Sequence, residues 1–306
     1  MKTIRLDDYE QAPVLAEITL PEPAPNEVLV RVRAAALNPL DVKLQLGVLR
    51  DFFPLNFPSL LGTDLAGVIE RTGSLTSRWR PGDRVIARLD PTRGGAFAEY
   101  AVVPEEQLVL LPGDLQFDAA AGLPTAAATA WQALAEMAKL TQGQTVLIHA
   151  GAGGVGSFAI QIARSLGVRV IATASGDGVD LALKLGADQI IDYRTEDLTR
   201  LVSGVDLVLD TVGGETQRRS LEVLRSGGRL LSTVSPPDID LLAAHEVEGA
   251  FVFHTSDGRR LAEVVKRHKA FGGTVLIDSV FGLDDFPDAF ARQASGRARG
   301  KIIVTI

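Results

Sequence analysis

The sequence contains no cysteine among its 306 residues. This absence excludes disulfide bonds, catalytic thiolates and every zinc site that needs sulfur ligands. It has only four histidines, and none of them stands in an HxxH or HExxH spacing. No cluster of aspartates indicates a magnesium site. We therefore expect a protein that binds no metal.

Positive charge and long apolar runs are also scarce. The formal net charge of −7 argues against nucleic acid as the main partner, because phosphate binding needs a basic face. No apolar run reaches the roughly 18–20 residues that a membrane-spanning helix needs. The first residues, MKTIRLDDYEQAP, lack the apolar stretch of a signal peptide. We expect a cytoplasmic protein with neither a nucleic-acid nor a membrane partner.

The first part of the chain predicts short strands that are separated by frequent turns. Val28–Arg33 alternates apolar and polar residues, and Leu65–Glu70 and Arg84–Arg88 are further strand candidates. Only Pro39–Gly47 indicates an early helix. Residues 1–117 therefore predict a small, irregular, barrel-like β domain.

From about residue 118 the pattern changes to alternating strands and helices, which indicates an α/β fold. The strands are continuous apolar runs, typical of a parallel sheet with helices on both faces. We expect a doubly wound domain over residues 118–255. The tail, 256–306, is too short for a third domain and should complete the first. The predicted strands of the doubly wound domain are Thr145–His149, Arg169–Thr173, Gln189–Ile191, Leu207–Asp210, Gly228–Thr233 and Ala250–His254.

A glycine-rich turn, HAGAGGVGS, follows the strand Thr145–His149 and precedes a predicted helix. Its G-x-G-x-x-G spacing permits a tight turn, approach of a pyrophosphate to bare backbone, and close contact of the helix with the strand. We predict a dinucleotide site here; the alternative is a turn that is rich in glycine for packing alone. The predicted contacts are Ala152, Gly153, Gly154, Val155 and Gly156.

The end of the second strand indicates which dinucleotide is bound. An NAD site usually has an acidic residue about 20 residues after the turn, where it binds the ribose 2′-hydroxyl. This chain has Thr173 and Ser175 at that place and no acid, and Ser175 can donate to a 2′-phosphate. Residues 174–183 contain no lysine or arginine, so Arg194 is the nearest basic candidate. We favour NADPH, with NADH as the alternative.

Two later strand ends should reach the same crevice, because ligands bind outside the carboxyl ends of parallel strands. The first is Thr211 and Val212, and the second is Val234 and Ser235. Asp210 either contacts the ligand as well or only caps its strand.

Several short motifs together resemble the medium-chain dehydrogenase/reductase family, in its zinc-free quinone oxidoreductase branch. They are Leu37–Lys43, Leu61–Gly67, Gly82–Val85, Gly94–Tyr100, Thr129–Gln132, the glycine turn and Gly300–Val304. The resemblance covers essentially the whole chain. It implies a GroES-like catalytic domain, a Rossmann domain that binds NADPH, and reduction of a quinone or an α,β-unsaturated carbonyl.

The resemblance also implies chemistry without zinc. Zinc-dependent relatives have a cysteine where this chain has Asn38, and a His-Glu pair where it has Thr63 and Asp64. Without a Lewis acid to activate an alcohol, reduction of a conjugated acceptor is the natural reaction. Two alternatives stay open: a zinc-free carbonyl or alcohol dehydrogenase, and an NADPH-binding structural or regulatory protein with little turnover.

Particular residues receive roles from the resemblance. Asn38 is expected beside the nicotinamide and the substrate, although it could also cap the helix that follows. Lys43, in an N-P-x-D-x-K motif, resembles the enone oxidoreductase subgroup, in which this lysine reaches the cofactor ribose and the reacting carbonyl; alternatively it is a solvated surface charge. Thr129, Tyr193 and Lys301 are expected to contact the cofactor.

Two further expectations concern apolar residues. Leu49, Phe52 and Phe53 would form an apolar wall of the substrate pocket, or else belong to the core. The strand Ala250–His254 should be the edge of the parallel sheet, and we expect it to pair with its copy in a homodimer.

Overall fold

A computed structural model describes residues 1–306 and divides the chain into two compact units. The first unit consists of residues 1–125, 255–269 and 277–306, and the second of 126–254 and 270–276. Two segments therefore lie on the other side of the predicted domain bounds. Residues 118–125 belong to the first unit and 270–276 to the second.

The chain up to residue 125 forms short strands and two short helices. In order they are β1 (Lys2–Leu6), β2 (Val14–Glu17), β3 (Glu27–Leu37), α1 (Pro39–Gln45), β4 (Ser59–Leu60), β5 (Asp64–Thr72), β6 (Arg84–Arg88), β7 (Tyr100–Pro104), β8 (Leu108–Leu110) and α2 (Phe117–Ala121). Helix α2 packs against β3 and β5, which is why the residues just after 117 belong to this unit. Helix α1 ends before the predicted Gly47, whose positive φ of 66° leaves the helical region.

The second unit alternates helices with strands. In order they are α3 (Ala126–Trp131), continued by a π-helical turn Gln132–Met137, β9 (Thr145–Ile148), α4 (Gly154–Ser165), β10 (Arg169–Ala174), α5 (Gly178–Leu185), β11 (Gln189–Asp192), α6 (Leu198–Leu201), β12 (Val205–Asp210), α7 (Gly214–Ser220), β13 (Leu224–Ser232), α8 (Ile239–Ala244) and β14 (Glu248–Phe251). The tail then forms α9 (Gly258–Ala270), β15 (Ile277–Gly282), α10 (Phe286–Ala294) and β16 (Lys301–Thr305).

Strand β3 is the centre of the first unit's larger sheet, whose order is β15-β16-β3-β5-β6-β8. Its sequence, EVLVRVRAAAL, is apolar enough to be buried along most of its length. One side of β3 pairs with β5, and the other side is shared by β7 near its start and β16 near its end. Because the last strand pairs with β3, Lys301 lies next to the end of β3 and the start of α1.

The core of the first unit is aromatic as well as aliphatic. Phe97 is fully buried, and its ring lies 4.9 Å, centroid to centroid, from that of Phe286 on α10. The strands β2, β1 and β4 form a separate three-stranded sheet. The tail thus supplies two strands, β15 and β16, and two helices, α9 and α10, to this unit.

The second unit has a six-stranded parallel sheet in the order β11-β10-β9-β12-β13-β14. The chain runs outward from β9 through β10 to β11, and then in the other direction from β12 to β14. This reversal is a topological switch point, where parallel α/β sheets bind their ligands. Residues 270–276 join this unit through Thr274, whose N–H and C=O both bond to the side chain of Gln161 on α4, at 2.8 and 2.9 Å.

The edge strand of this sheet differs from its predicted bounds. The prediction Ala250–His254 is wrong by two to three residues, since β14 is Glu248–Phe251. Phe251 pairs with Ser232, the last residue of β13, and the chain has no strand partner beyond it. No helix in the structure has both the length and the apolar character that crossing a membrane requires.

Candidate functional site

The glycine turn packs so closely that a side chain does not fit at Gly151 or Gly156. A Cβ on Gly156 would lie 2.1 Å from the carbonyl oxygen of Ala150, and one on Gly151 would lie 2.9 Å from the Cβ of Ala172. The N–H of Gly151 donates to the carbonyl of Thr173 at 2.8 Å and thereby joins the turn to β10. Helix α4 begins at Gly154, and the N–H groups of its first turn have no acceptor within the helix. Such groups, together with the helix dipole, are able to bind an anion.

A neutral histidine, His149, holds this turn through hydrogen bonds to two hydroxyl groups. The Nδ1 of His149 lies 3.2 Å from the Thr173 hydroxyl, and its Nε2 lies 2.8 Å from the Ser220 hydroxyl. Ser220 donates its own proton to the Thr216 carbonyl, so it accepts from Nε2–H, and Nδ1 accepts from Thr173. Burial lowers the pKa of His149 to about 4. The Thr173 hydroxyl also accepts from the N–H of Ala150. Its hydrogen bonds are therefore made to His149 and to the backbone of the turn.

Asp210 caps the end of β12. Its carboxylate accepts from the N–H groups of Val212 and Gly213 at 2.9 and 2.8 Å, from Gln217 Nε2 at 3.0 Å and from the Ser232 hydroxyl at 2.9 Å. The sequence left open whether Asp210 contacts the ligand or caps its strand, and the structure shows the cap. One carboxylate thereby fixes the ends of two neighbouring strands.

The turns after β9, β12 and β13 lie together at the carboxyl ends of the parallel strands. The Thr211 hydroxyl donates to the carbonyl of His149 at 2.8 Å, and Gln217 Nε2 donates to the carbonyl of Ser235 at 3.3 Å. Val212 is 48% exposed beside them, and Val234 is half-buried. The residues predicted to bind a dinucleotide in this unit therefore follow neighbouring strand ends, except Thr129, which is buried in α3.

Hydroxyl groups and a cation follow the ends of β10 and β11, and β11 itself ends in an acid, Asp192. The Ser175 hydroxyl donates to the Tyr193 hydroxyl at 2.8 Å, and the Tyr193 side chain is 60% exposed. Arg194 is exposed, and its guanidinium has no partner in the chain. Asp177 lies at the N-cap position of α5. Ser175, Tyr193 and Arg194 are groups that can bind a phosphate ester.

In the first unit, a buried carboxylate gathers polar groups from distant parts of the chain. The Asp64 Oδ2 accepts from Asn38 Nδ2 at 3.0 Å and from the Thr125 N–H at 3.1 Å, and its Oδ1 accepts from the Thr125 hydroxyl at 2.6 Å. The Lys301 ammonium lies 3.8 Å from Oδ2. Arg88 donates to the Thr125 hydroxyl at 3.0 Å. We call Asn38, Asp64, Arg88, Thr125 and Lys301 the Asp64 cluster.

The Asn38 amide is held at both ends. Its Oδ1 accepts from the Lys301 ammonium, which also donates to the carbonyl of Leu37 at 2.9 Å. Its Nδ2 donates to Asp64, and the remaining amide hydrogen faces only the Ala36 carbonyl at 3.4 Å. Asn38 also occupies the N-cap position of α1, where Asp41 completes a capping box by accepting the N–H of Asn38. The predicted capping role therefore coexists with the contacts of the amide to Lys301 and Asp64.

A second buried carboxyl lies beside the cluster. Asp41 is fully buried; its Oδ2 accepts the N–H of Asn38 at 2.8 Å, while its Oδ1 has no hydrogen-bond partner. Burial raises the pKa of Asp41 to about 7, and the negative charge of Asp64 adds to this effect. Burial also lowers the pKa of Lys301 and of Arg88.

The other predicted residues of the first unit lie on or after α1. Lys43 is half-buried in the last turn of α1, and its ammonium has no partner in the chain. Leu49 is half-buried, and Phe53 packs against the core. Phe52 is 73% exposed. Of the three predicted pocket residues, Phe53 thus contacts the core and Phe52 lies on the surface.

Comparison with known proteins places both parts of the chain. Residues 24–113 match the family described as the alcohol dehydrogenase GroES-like domain, and residues 185–304 match the family described as zinc-binding dehydrogenase. A spinach chloroplastic quinone-oxidoreductase homolog is 33% identical, with 94% of this chain and 92% of the relative aligned. A tomato 2-methylene-furan-3-one reductase is 34% identical, covering 99% of this chain and 79% of the relative.

Solved structures agree with these relatives. The quinone oxidoreductase from Coxiella burnetii has a TM-score of 0.91 and 32% identity, covering 100% of this chain and 99% of that one. The Escherichia coli quinone oxidoreductase in complex with NADPH has a TM-score of 0.89 and 25% identity, with 100% of both chains covered. The chain belongs to the medium-chain dehydrogenase/reductase family. Its relatives lie in the quinone and enone oxidoreductase branch of that family.

The predicted family and fold class are therefore confirmed. This medium-chain reductase has a GroES-like β-rich unit and a Rossmann-type unit with a nicotinamide cofactor site, and it is an oxidoreductase. The exclusion of side chains from the glycine turn and its open N–H groups fit a dinucleotide pyrophosphate.

A zinc ion does not fit the residues of the Asp64 cluster. The oxygen of Asn38 is bonded to a lysine ammonium, and a second cation would have to displace it. Asp64 is the only carboxylate bonded to Asn38 Nδ2 and Thr125, and no sulfur or imidazole lies among the cluster's residues. The structure contains no group of three or more acidic or histidine residues that could hold a metal ion.

Two residues of the Asp64 cluster could not be identified from sequence patterns. Arg88 and Thr125 belong to no predicted site, although each bonds within the cluster. Lys301 is expected from the sequence to contact the cofactor, but its ammonium is buried and bound to Asn38, which is 263 residues away in sequence. Only the pairing of β16 with β3 brings these two residues together.

The buried Asp41 predicts a stability that depends on pH. Because its pKa is raised in the folded state, folding favours the protonated form, and stability falls as pH rises from about 4 toward 7 and above. Asp41→Asn removes this titration. We subtract the free energy of unfolding of the wild type from that of the variant at each pH. This difference should be larger at pH 8 than at pH 5 by more than about 1.4 kcal/mol.

Urea titrations of both proteins at the two pH values measure this difference. Asp284→Asn is a matched control, since the Asp284 side chain is 67% exposed. If the free energies of unfolding of Asp41→Asn and the wild type differ by the same amount at both pH values, the raised pKa of Asp41 is contradicted.

Proposed function

We propose that the protein is an NADPH-dependent reductase of quinones or α,β-unsaturated carbonyls that works without zinc. The observation that carries the proposal is the ammonium of Lys301, which bonds to Asn38 and lies next to Asp64. A site with a fixed cation but no metal ligands gives no means of ionising an alcohol, and favours an acceptor that is already electrophilic. The quinone oxidoreductase and furanone reductase relatives support the same reaction class.

The second unit would hold the cofactor. The backbone of Ala152, Gly153, Gly154, Val155 and Gly156 would bind the pyrophosphate at the N-terminus of α4. Ser175, Tyr193 and Arg194 would bind the adenosine half and its 2′-phosphate, and Thr129 and the turns at Thr211 and Val234 would contact the rest. The bound reduced cofactor supplies the hydride. Support for NADPH over NADH comes from the absence of an acid at the end of β10.

Residues of the first unit would stabilise the charge that develops on the substrate. Hydride addition to the β-carbon moves the C=C electrons onto the carbonyl oxygen, which then needs hydrogen-bond donors. Lys43 has an ammonium without a partner in the chain, and the second amide hydrogen of Asn38 has only a long contact to Ala36. We assign both as donors to this oxygen. Lys43 or water then supplies the proton that completes the reduction.

An exposed apolar surface suits a flat, poorly soluble acceptor. Leu46, Val48 and Phe52 follow α1 and are 46%, 64% and 73% exposed. Leu49 and Phe53 lie beside them in sequence and are half-buried. Exposed apolar side chains in a short segment are typical of a binding surface.

A small panel of reactions tests the proposed function. We expect rapid oxidation of NADPH with a quinone or a short enone, little with a simple aldehyde or with ethanol and NADP⁺, and unchanged rates after dialysis against EDTA. The measurement is the loss of reduced-nicotinamide absorbance, with NADPH and NADH compared at equal concentration. Turnover of aldehyde or alcohol alone would favour the carbonyl dehydrogenase alternative. Saturable NADPH binding without any turnover would favour a binding protein.

Matched variants test the assigned residues in the same assay. Ser175→Asp should raise the KM for NADPH at least about tenfold, because a charged contact is worth about 1.5 kcal/mol or more, while Ser175→Ala should change it less. Lys43→Ala should lower kcat about 10²-fold, and the exposed Lys266→Ala should not. An NADPH preference that survives Ser175→Asp would refute the role of Ser175.

We also propose a homodimer that forms along β14. This strand is an edge of the parallel sheet, and the N–H of Val252 donates inward to Ser232 at 2.7 Å, so the neighbouring N–H of Phe251 is directed outward. Phe251 and Phe253 lie together at this edge, and Phe253 is 46% exposed. An apolar edge of this kind is a template for pairing with a second copy.

Sedimentation velocity tests the dimer. Phe253→Lys should shift the protein from dimer to monomer, while Leu75→Lys, at an exposed apolar residue of the first unit, should not. A wild-type protein that sediments as a monomer, or a Phe253→Lys variant that stays dimeric, would contradict the proposal.

A further inference from the structure

Gln217, a half-buried residue of α7, joins the turns that follow β12 and β13. Its Nε2 donates to Asp210 Oδ2 at 3.0 Å and to the carbonyl of Ser235 at 3.3 Å. Asp210 accepts in turn from the N–H groups of Val212 and Gly213. A primary amide has two hydrogens to donate, and Gln217 uses one for each turn. A single side chain thus connects the backbone of the two turns.

The turn after β13 has few other hydrogen bonds that could fix it. The N–H of Val234 donates to the Ser232 hydroxyl at 3.2 Å, and the N–H of Ser235 lies 3.5 Å from the same oxygen. The next two residues are prolines, at 236 and 237, and have no N–H to donate. The carbonyl of Ser235 accepts from Gln217 alone. Loss of this bond would free the turn on the side that faces α7.

Packing does not replace these bonds, because the turn borders a cavity. The cavity has a volume of about 440 Å³ and lies between α7, α8 and the segment from Ser235 to Asp238. Gln217 lines it together with apolar side chains such as Leu221 and Leu241. Protein interiors are otherwise close-packed, and a segment beside a space of this size can shift without displacing other side chains. The position of the turn therefore depends on Gln217.

The two turns lie on one half of the parallel sheet. Doubly wound sheets bind one nucleotide of a dinucleotide on each half. Ser175 and Arg194, which we propose for the adenosine half, follow β10 and β11, whereas β12 and β13 lie on the other side of β9. By this division the turns after β12 and β13 belong with the nicotinamide nucleotide.

We infer that Gln217 is a positioning residue, which holds the turns at Val212 and Val234 in the arrangement that binds the nicotinamide half of the cofactor. The role rests on the proposed contacts of these two turns with the cofactor. Gln217 acts through the backbone of both turns and needs no contact of its own with the ligand. A turn that is fixed before binding loses less conformational entropy when the ligand binds, and this raises the affinity.

Two substitutions of similar size separate the hydrogen-bond donor from the bulk of the side chain. Gln217→Met keeps an unbranched side chain but has no hydrogen to donate, whereas Gln217→Lys has an ammonium that can donate to both Asp210 and Ser235. Gln217→Met should raise the Kd for NADPH about tenfold, because a hydrogen bond to a charged group is lost. Gln217→Lys should stay within about threefold of the wild type. Isothermal titration calorimetry measures each Kd.

Adenosine 2′,5′-bisphosphate, which lacks the nicotinamide half, is the second probe. Its Kd should change by less than about twofold in both variants, since the adenosine side of the sheet is unaltered. At saturation, the nicotinamide fluorescence of NADPH bound to Gln217→Met should move toward that of free NADPH. The exposed Gln142→Met, in the same unit, should change neither Kd nor the fluorescence. If the wild type binds NADH more tightly than NADPH, NADH and AMP replace the two probes.

Equal NADPH binding by Gln217→Met and the wild type would overturn the inference. So would an equal loss of affinity for both probes, or a Gln217→Met protein that no longer binds adenosine 2′,5′-bisphosphate, because Gln217 would then be needed for the fold as a whole. A wild type that binds neither NADPH nor NADH would overturn the proposed function together with the inference.

Discussion

The buried negative charge of Asp64 is the constraint on which the first unit's site depends. A carboxylate that is taken out of water must be paired and hydrogen-bonded, and a lone buried charge costs several kcal/mol. Asp64 meets this requirement with groups from three other places in the chain: the end of β3, the segment after α2, and β16. The charge therefore determines where these segments meet.

The same arrangement orients the chemistry of Asn38. An amide between a cation and an anion has one preferred orientation, because its oxygen faces Lys301 and its nitrogen faces Asp64. Arg88 extends the network by donating to Thr125 and, at 2.8 Å, to Ser256. A medium-chain reductase that lacks metal ligands can thus hold a polar group and a positive charge rigidly in an apolar core. Rigid donors are the form of transition-state stabilisation that needs no reorganisation.

In the second unit, the turns at the strand ends are held by contacts between nearby parts of the fold. Its turns are fixed by bare backbone at Gly151 and Gly156, by the neutral His149 and by the carboxylate of Asp210. This difference explains how much of each unit can be predicted from the sequence. The glycine spacing, the apolar strands and the absence of an acid at the end of β10 are local patterns, and such patterns are sufficient to predict the parallel sheet and its cofactor turn.

The first unit's site depends on contacts between distant residues, which local patterns do not contain. The motif around Asn38 identifies this residue, but its partner Lys301 is 263 residues away, and only the antiparallel register of β16 with β3 joins them. Thr125 and Arg88 carry no motif. The sequence pattern predicts the edge strand too late in the chain because the strand's end is set by the end of β13 at Ser232. Likewise, it predicts too long an α1 because the turn at Gly47 is set by its own left-handed φ.

A double-mutant cycle between Asp64 and Lys301 tests the central claim, that the two charges are a coupled pair on which the unit depends. Urea unfolding is followed by Trp79, which is buried in the same unit, in a Trp131→Phe background. We predict that Asp64→Asn and Lys301→Met each cost about 3 kcal/mol or more because each leaves a buried charge unpaired, and that the double variant costs less than their sum by at least about 2 kcal/mol. Costs that add to within about 0.5 kcal/mol would contradict the account.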